Sequence, residues 1–217
     1  MKNTLSRLFK KKENRFRVAI FGSSRIEHGD EIYEDVKKLA SMLGESDIDV
    51  VTGGGPGLMR AGNEGHKIGK EKAGNNSLSI GIGVALPWNQ KFNNAVEYKE
   101  TFNRFSERLD EFMLISNAVI VTPGGLGTLL ELFYTWQLVQ VHHICNIPII
   151  LMGDEWEGLL KWIKEQPLAK NYLDKVDYEL VFHVKTPEEA MEIVKETYAS
   201  FKIGGKDFCL NYEKYKV

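Results

Sequence analysis

Apolar runs and amphipathic stretches alternate along this chain. "RVAIF" (17–21), "IDVVT" (48–52), "LSIGIGVAL" (78–86), "AVIVT" (118–122), "IPIILM" (147–152) and "ELVFHV" (179–184) are short and nearly continuously apolar. That is the pattern of strands covered on both faces. Between them, Ile32, Val36, Leu39, Ala40 and Leu43 recur at helical spacing over residues 30 to 44. "TPEEAMEIVKETYASF" (186–201) opens with a threonine cap, a proline at the first helical position and Glu189 where a capping box requires it. Strand–helix alternation predicts an α/β fold: a doubly wound, Rossmann-like parallel sheet with helices on both faces. No internal repeat or low-complexity linker divides the chain, so a single domain is expected over 17–201. A basic arm (1–16) and a tail (202–217) flank it.

Ligands of such sheets lie beyond the carboxyl ends of the strands, at the topological switch point. Three glycine- or serine-rich turns fall on that edge: "FGSSR" after the first run, "TGGGPGLM" after the second and "TPGGLGT" after the fourth. The spacing G-x-G-x-x-G fails, since counting from Gly53 ends on Leu58 and counting from Gly55 ends on Arg60. "GHKIGK" has the wrong spacing for a P-loop and no Ser or Thr after Lys70. A phosphate is still favoured. "PGGLGT" leads into a helix expected to begin near Thr128, and free amides at a helix start make an anion site. Gly124, Gly125, Gly127 and Thr128 are its candidate residues, with Ser23, Gly54 and Gly55 on the facing turns. Pro56 is placed for the first turn of the helix that follows them. Glu131 has two readings: a capping box with Thr128, or a carboxylate serving chemistry beside the phosphate.

Composition removes several function classes. A formal charge of −2 and a pI near 6.2 give no general reason to expect nucleic acid as a partner. The longest apolar stretches are too short to span a bilayer. Residues 1–17 carry seven basic residues and one acid without the apolar core of a secretory signal, so the arm reads as a solvated tail. Cys145 and Cys209 lack metal-type spacing and read as reduced thiols of a cytoplasmic protein. Adjacent His142 and His143 point apart on a helix and read as C-terminal residues facing its dipole, not as metal ligands.

"PGGLGTLLE" (123–131) resembles the P-G-G-x-G-T-x-x-E motif of the LONELY GUY family, often mislabelled lysine decarboxylases. The family's arginine, fifteen residues before the motif's proline, falls on Arg108. "GSS" (22–24), "GGGPGLM" (53–59) and "ALPWNQKFNN" (85–94) match further family segments. The resemblance spans about residues 17 to 198. The family's Arg-Lys pair is Arg108-Leu109 here, which removes any role of that lysine.

The resemblance implies a phosphoribohydrolase that splits AMP, or an N6-modified, cytokinin-type AMP, into free base and ribose 5-phosphate, with no cofactor. Arg108 and Glu131 would be its catalytic residues; Arg104, four residues before Arg108, reads as structural. Nothing marks a lysine for a Schiff base. A different reading is a non-catalytic carrier or sensor, since molybdenum-cofactor carriers resemble this family and share its fold. Such a carrier would not need the Arg108/Glu131 pair. Taking 100° per residue, Leu129, Leu132, Phe133 and Trp136 form one stripe of the motif helix, and Leu130, Tyr134, Leu138 and Val141 a second. Glu131 lies at the edge of that second stripe. An apolar second stripe predicts a homodimer or higher homo-oligomer bordering the site.

Overall fold

The computed structural model describes residues 15–87 and 91–204. All six apolar runs form strands within two residues of their expected limits, among them β1 (Arg17–Phe21), β2 (Asp49–Thr52), β5 (Ala118–Val121), β6 (Ile149–Met152) and β7 (Val181–Val184). The third gives β3 (Ser79–Val84). The helices are α1 (Glu31–Glu45), α2 (Leu58–Ala73), α3 (Phe105–Ile115), α4 (Leu126–Gln140), α5 (Trp156–Ile163), α6 (Lys175–Tyr178) and α7 (Pro187–Gly204), with a π-turn at Lys164–Leu168 after α5.

One strand has no apolar run. β4 (Tyr98–Phe102) is "YKETF", with half-buried and exposed residues in alternation. It lies at the sheet edge, where a polar strand suffices. The order is β4-β3-β2-β1-β5-β6-β7, and every neighbouring pair is parallel. The winding reverses between β1 and β5, so the turns after these two strands lie side by side. A hydrogen bond from the Ser23 amide to the Pro123 carbonyl (2.9 Å) joins them.

Two apolar layers cover the sheet. Leu39, Leu43, Leu58 and Val194 pack with Val18, Ile20 and Ile120 on one side; Phe112, Leu132, Trp136 and Leu160 pack with Phe21, Val119 and Leu151 on the other. The N-terminal boundary of the domain lies earlier than the sequence suggests. Phe16 is 1% exposed and packs edge-on against Phe201 and tilted against Tyr198, while Arg15 pairs with Asp47 and Asp49. Both were assigned to the arm; its residues 1–14 lie outside the described residues. α7 continues to Gly204, past the expected end at 201, and its capping box forms as expected between Thr186 and Glu189. Residues 205–217 of the tail, with Cys209, are not described. Cys145 is buried, and the expectation of a reduced thiol at Cys209 lies outside the described residues.

α1 and α2 approach so closely that glycine is required at the crossing. A Cβ on Gly69 would lie 1.9 Å from the Ser41 carbonyl oxygen, and one on Gly65 would lie 2.0 Å from that of Lys37. Both obstacles are helix backbone, which cannot rotate aside as a side chain can. Gly69→Ala is therefore expected to cost about 3 kcal/mol or more, lowering the melting temperature by about 6–12 °C for a chain of this size. A melting temperature within about a degree of the parent would show that the helices separate without cost.

A second energetic feature lies in α3. Glu111 is 7% exposed, and Oε1 of its carboxyl has no hydrogen-bond partner among the described residues. Burial, reinforced by the charge of Glu100, pushes its pKa up to about 7. The folded protein therefore keeps this proton where the unfolded chain loses it. Stability falls as pH rises from about 4.5 to about 7, and the loss is complete above that. Glu111→Gln is expected to raise stability at pH 8 by on the order of 1–3 kcal/mol and to leave it unchanged near pH 4. Denaturant titrations at the two pH values check this, and an equal difference at both would contradict it.

Candidate active site

A cavity of about 980 Å³ opens at the carboxyl edge of the sheet, over the crossover between β1 and β5. The turns after β1, β2 and β5 all reach it, as the sequence predicts. Ser23, Gly54, Gly55, Gly125, Gly127, Thr128, Arg108 and Glu131 line it; Gly124 does not. A Cβ on Gly124 would lie 2.1 Å from Thr128 Oγ1, so this glycine makes room for the Thr128 hydroxyl.

α4 begins at Leu126 with Gly125 as its N-cap, two residues before the expected start. Thr128 is then the third helical residue rather than a cap, and the expected Thr128–Glu131 capping box does not form. Glu131 lies in the second turn, not the first. The amides of Leu126, Gly127 and Thr128 are at the helix start, where no carbonyl four residues back exists within the helix. Residues 124–127 are exposed, and a Cβ on Gly125 or Gly127 would meet nothing within 4 Å among the described residues. A bound anion could thus approach these amides directly. The other glycine turn differs: α2 starts at Leu58 with Gly57 as its cap, so Pro56 precedes the helix instead of opening it. Gly57 has φ 67°, and a Cβ there would sit 2.3 Å from the Ser23 carbonyl oxygen, which accepts from the Leu58 amide.

The Glu131 carboxylate faces Arg108. Its Oε1 lies 3.0 Å from Arg108 Nη2, and the two side chains are 9% and 14% exposed. Arg108 is held on three further sides. Its Nε donates to the Ile82 carbonyl (2.9 Å), its guanidinium lies 5.2 Å from the Phe112 ring centre, and a Cβ on Gly53 would come within 2.7 Å of Nη2. The first glycine of "GGGPG" therefore gives the guanidinium its place. Burial pushes Glu131 up to about 7, against the opposing pull of Arg108. A carboxyl near neutrality can take up or release a proton at the pH of its surroundings.

The buried side of α4 also carries Leu132, Thr135 and Val139, with Thr128 and Glu131 among them. Two of the stripes expected from sequence are thereby redrawn. Phe133 is exposed rather than buried, whereas Tyr134 and Leu138 are half-buried. Leu126, Leu130, Phe133 and Val141 form the exposed apolar line, and Glu131 lies inside, away from it. The Tyr134 hydroxyl donates to Asp110 of α3. His142 and His143 lie just beyond the last turn, His142 with φ 54°, rather than within it.

The sequence reading missed part of the pocket wall: Arg25, Met59, Lys91, Phe92 and Phe105. Phe92 had a signal. Gly81 and Gly83 alternate along β3, which marks a strand face approached closely by something large, and the Phe92 ring lies there.

The family described as "Possible lysine decarboxylase" matches residues 57–194, which include Arg108, the glycine turn and Glu131. The chain belongs to this LONELY GUY-like family. Among curated proteins, the "pyrimidine/purine nucleotide 5′-monophosphate nucleosidase" of Escherichia coli strain K12 is 29% identical over 144 residues, covering 63% of this chain and 30% of the relative. This chain thus spans under a third of that relative's length. Among solved structures, the molybdenum cofactor binding protein of Rippkaea orientalis is similar with a TM-score of 0.60 and 20% identity, over 84% of this chain and 96% of that one. The molybdenum cofactor carrier protein of Chlamydomonas reinhardtii gives 0.59 and 20%, over 86% and 99%. These likenesses establish the shared fold. Leu109, where LONELY GUY proteins carry lysine, is buried and does not line the pocket. No helix of the described residues is long and apolar enough to cross a membrane.

Proposed function

We propose that this protein hydrolyses the N-glycosidic bond of a nucleoside 5′-monophosphate, AMP or an N6-modified AMP, to free base and ribose 5-phosphate. The observation that carries the reading is the buried Arg108–Glu131 pair beside the open start of α4. The amides of Leu126 to Thr128 hold the 5′-phosphate. Glu131 lies four residues beyond Gly127, about 6 Å further along the helix axis, a separation that suits a carboxylate acting at the ribose. As the bond to the base breaks, positive charge grows on C1′ and the ring oxygen. The ionised carboxylate stabilises that charge and takes a proton from the attacking water. Water supplies the hydroxyl of ribose 5-phosphate, and the base leaves with a proton. Arg108 fixes the carboxylate's orientation through a charge-assisted hydrogen bond. The name of the Escherichia coli relative points to the same chemistry.

A panel of purine and pyrimidine 5′-monophosphates, with released bases separated by chromatography, tests the reading and identifies the preferred base. A carrier of a phosphate-bearing cofactor, as the molybdenum-cofactor proteins suggest, would use the amides but have no need of a buried carboxylate at C1′. Release of no base from any nucleotide would favour it.

The exposed line of α4 starts at Leu126, on the pocket rim, so a homodimer formed through it would border the site. Leu130→Arg is expected to give monomers of reduced activity, because dimerisation would bury an unpaired charge. A parent protein already monomeric at micromolar concentration in sedimentation would contradict this assembly.

A further inference from the structure

Phe92 stands on a floor of glycines. A Cβ on Gly54 would lie 2.3 Å from its ring, and Cβ atoms on Gly81 and Gly83 would each lie 2.9 Å from it. Three side chains are thus missing where the ring lies, and Phe92 is half-buried on the pocket wall. The next residue fastens this segment to the glycine turn after β2. Asn93 donates from its amide to the Gly54 carbonyl (2.8 Å) and from Nδ2 to the carbonyls of Gly54 and Gly55. Its Nδ2 also donates to Asn63, which Thr52 and Ser79 hold in turn. The ring is therefore set in place by the fold, without ordering on binding.

Its location relative to the ion pair gives it a use. Arg108 lies against Gly53 and the Ile82 carbonyl, while Phe92 lies against Gly54, Gly81 and Gly83. The guanidinium and the ring thus rest on adjacent residues of the same two segments. On the nucleotide reading, a phosphate at the start of α4 and C1′ at Glu131 would leave the base to the remaining wall of the cavity, which Arg108 and Phe92 line. We infer that Phe92 is the base-binding residue of the pocket, a stacking platform for the heterocycle of the nucleotide. This rests on the nucleotide reading above and adds the subsite that the motif residues leave unassigned. Every nucleobase offers a π-face, and the larger purine ring gains more from stacking.

The test uses the Glu131→Gln protein, so that AMP is not consumed, and compares calorimetric binding of AMP and of ribose 5-phosphate, which has no base. Phe92→Leu keeps an apolar plug over the glycines but removes the aromatic face. It is expected to weaken AMP on the order of 10–100-fold, leave ribose 5-phosphate within about twofold, and be rescued by Phe92→Trp. Melting curves verify that each variant is folded. Binding of both ligands with their affinity ratio unchanged in Phe92→Leu overturns the platform alone. Equal weakening of both ligands also overturns it, since Phe92 then only supports the turn. Failure of AMP and ribose 5-phosphate alike to bind the protein with Phe92 intact overturns the nucleotide reading, and the platform with it.

Discussion

Glu131→Gln is expected to reduce kcat for AMP by about 10³-fold or more while nucleotide binding changes little. The amide occupies nearly the same volume and still accepts a hydrogen bond from Arg108. It carries no charge to offset the cation at C1′ and no site for the proton of water. Removing one electrostatic group aimed at transition-state charge costs roughly 10²–10³-fold, and a second, general-base role adds to that. The pH profile is a further readout of the same variant. Burial holds Glu131 near 7 in the free protein, and the ionised form is the active one. The kcat/KM of the parent is thus expected to rise with pH through about 7, and Glu131→Gln to lose that step. Parent-level turnover in Glu131→Gln would reduce Glu131 to a structural partner of Arg108.

The second large effect concerns the phosphate. AMP is expected to exceed adenosine by on the order of 10³-fold or more in kcat/KM. Phosphate is remote from the breaking bond, so its binding energy can be used to hold C1′ against Glu131. Charge-assisted hydrogen bonds are worth roughly 1.5–3 kcal/mol each, and two or three realised in the transition state reach that ratio. ATP is expected to be poor as well, because the amides of Leu126 to Thr128 offer one cradle for one terminal phosphate. Steady-state comparison of the three under identical conditions checks this. Equal cleavage of adenosine would mean that the glycine turn serves packing only.

The buried strands were legible because a parallel sheet covered on both faces leaves near-continuous apolar runs. β4 was not legible, since an edge strand with the sequence "YKETF" meets the core on one face only. The motif turn was legible in outline, as was the meeting of Arg108 with Glu131. The start of α4 was not. Thr128 looks like a cap in sequence, yet Gly125, in an extended conformation, takes that role. That displacement of the helix start removes the capping box and leaves Glu131 to Arg108. The wall residue Phe92 was hidden for another reason: its seat is defined by Gly54, Gly81 and Gly83 together, and only folding brings those positions into one place.

Product identification with AMP tests the central claim most directly. The parent protein is incubated with AMP, and adenine, ribose 5-phosphate, adenosine and inorganic phosphate are quantified together. The expected result is adenine and ribose 5-phosphate in equal amounts, with both lost in Glu131→Gln. Adenosine and phosphate as the products, or no products at all, would contradict a carboxylate acting at C1′.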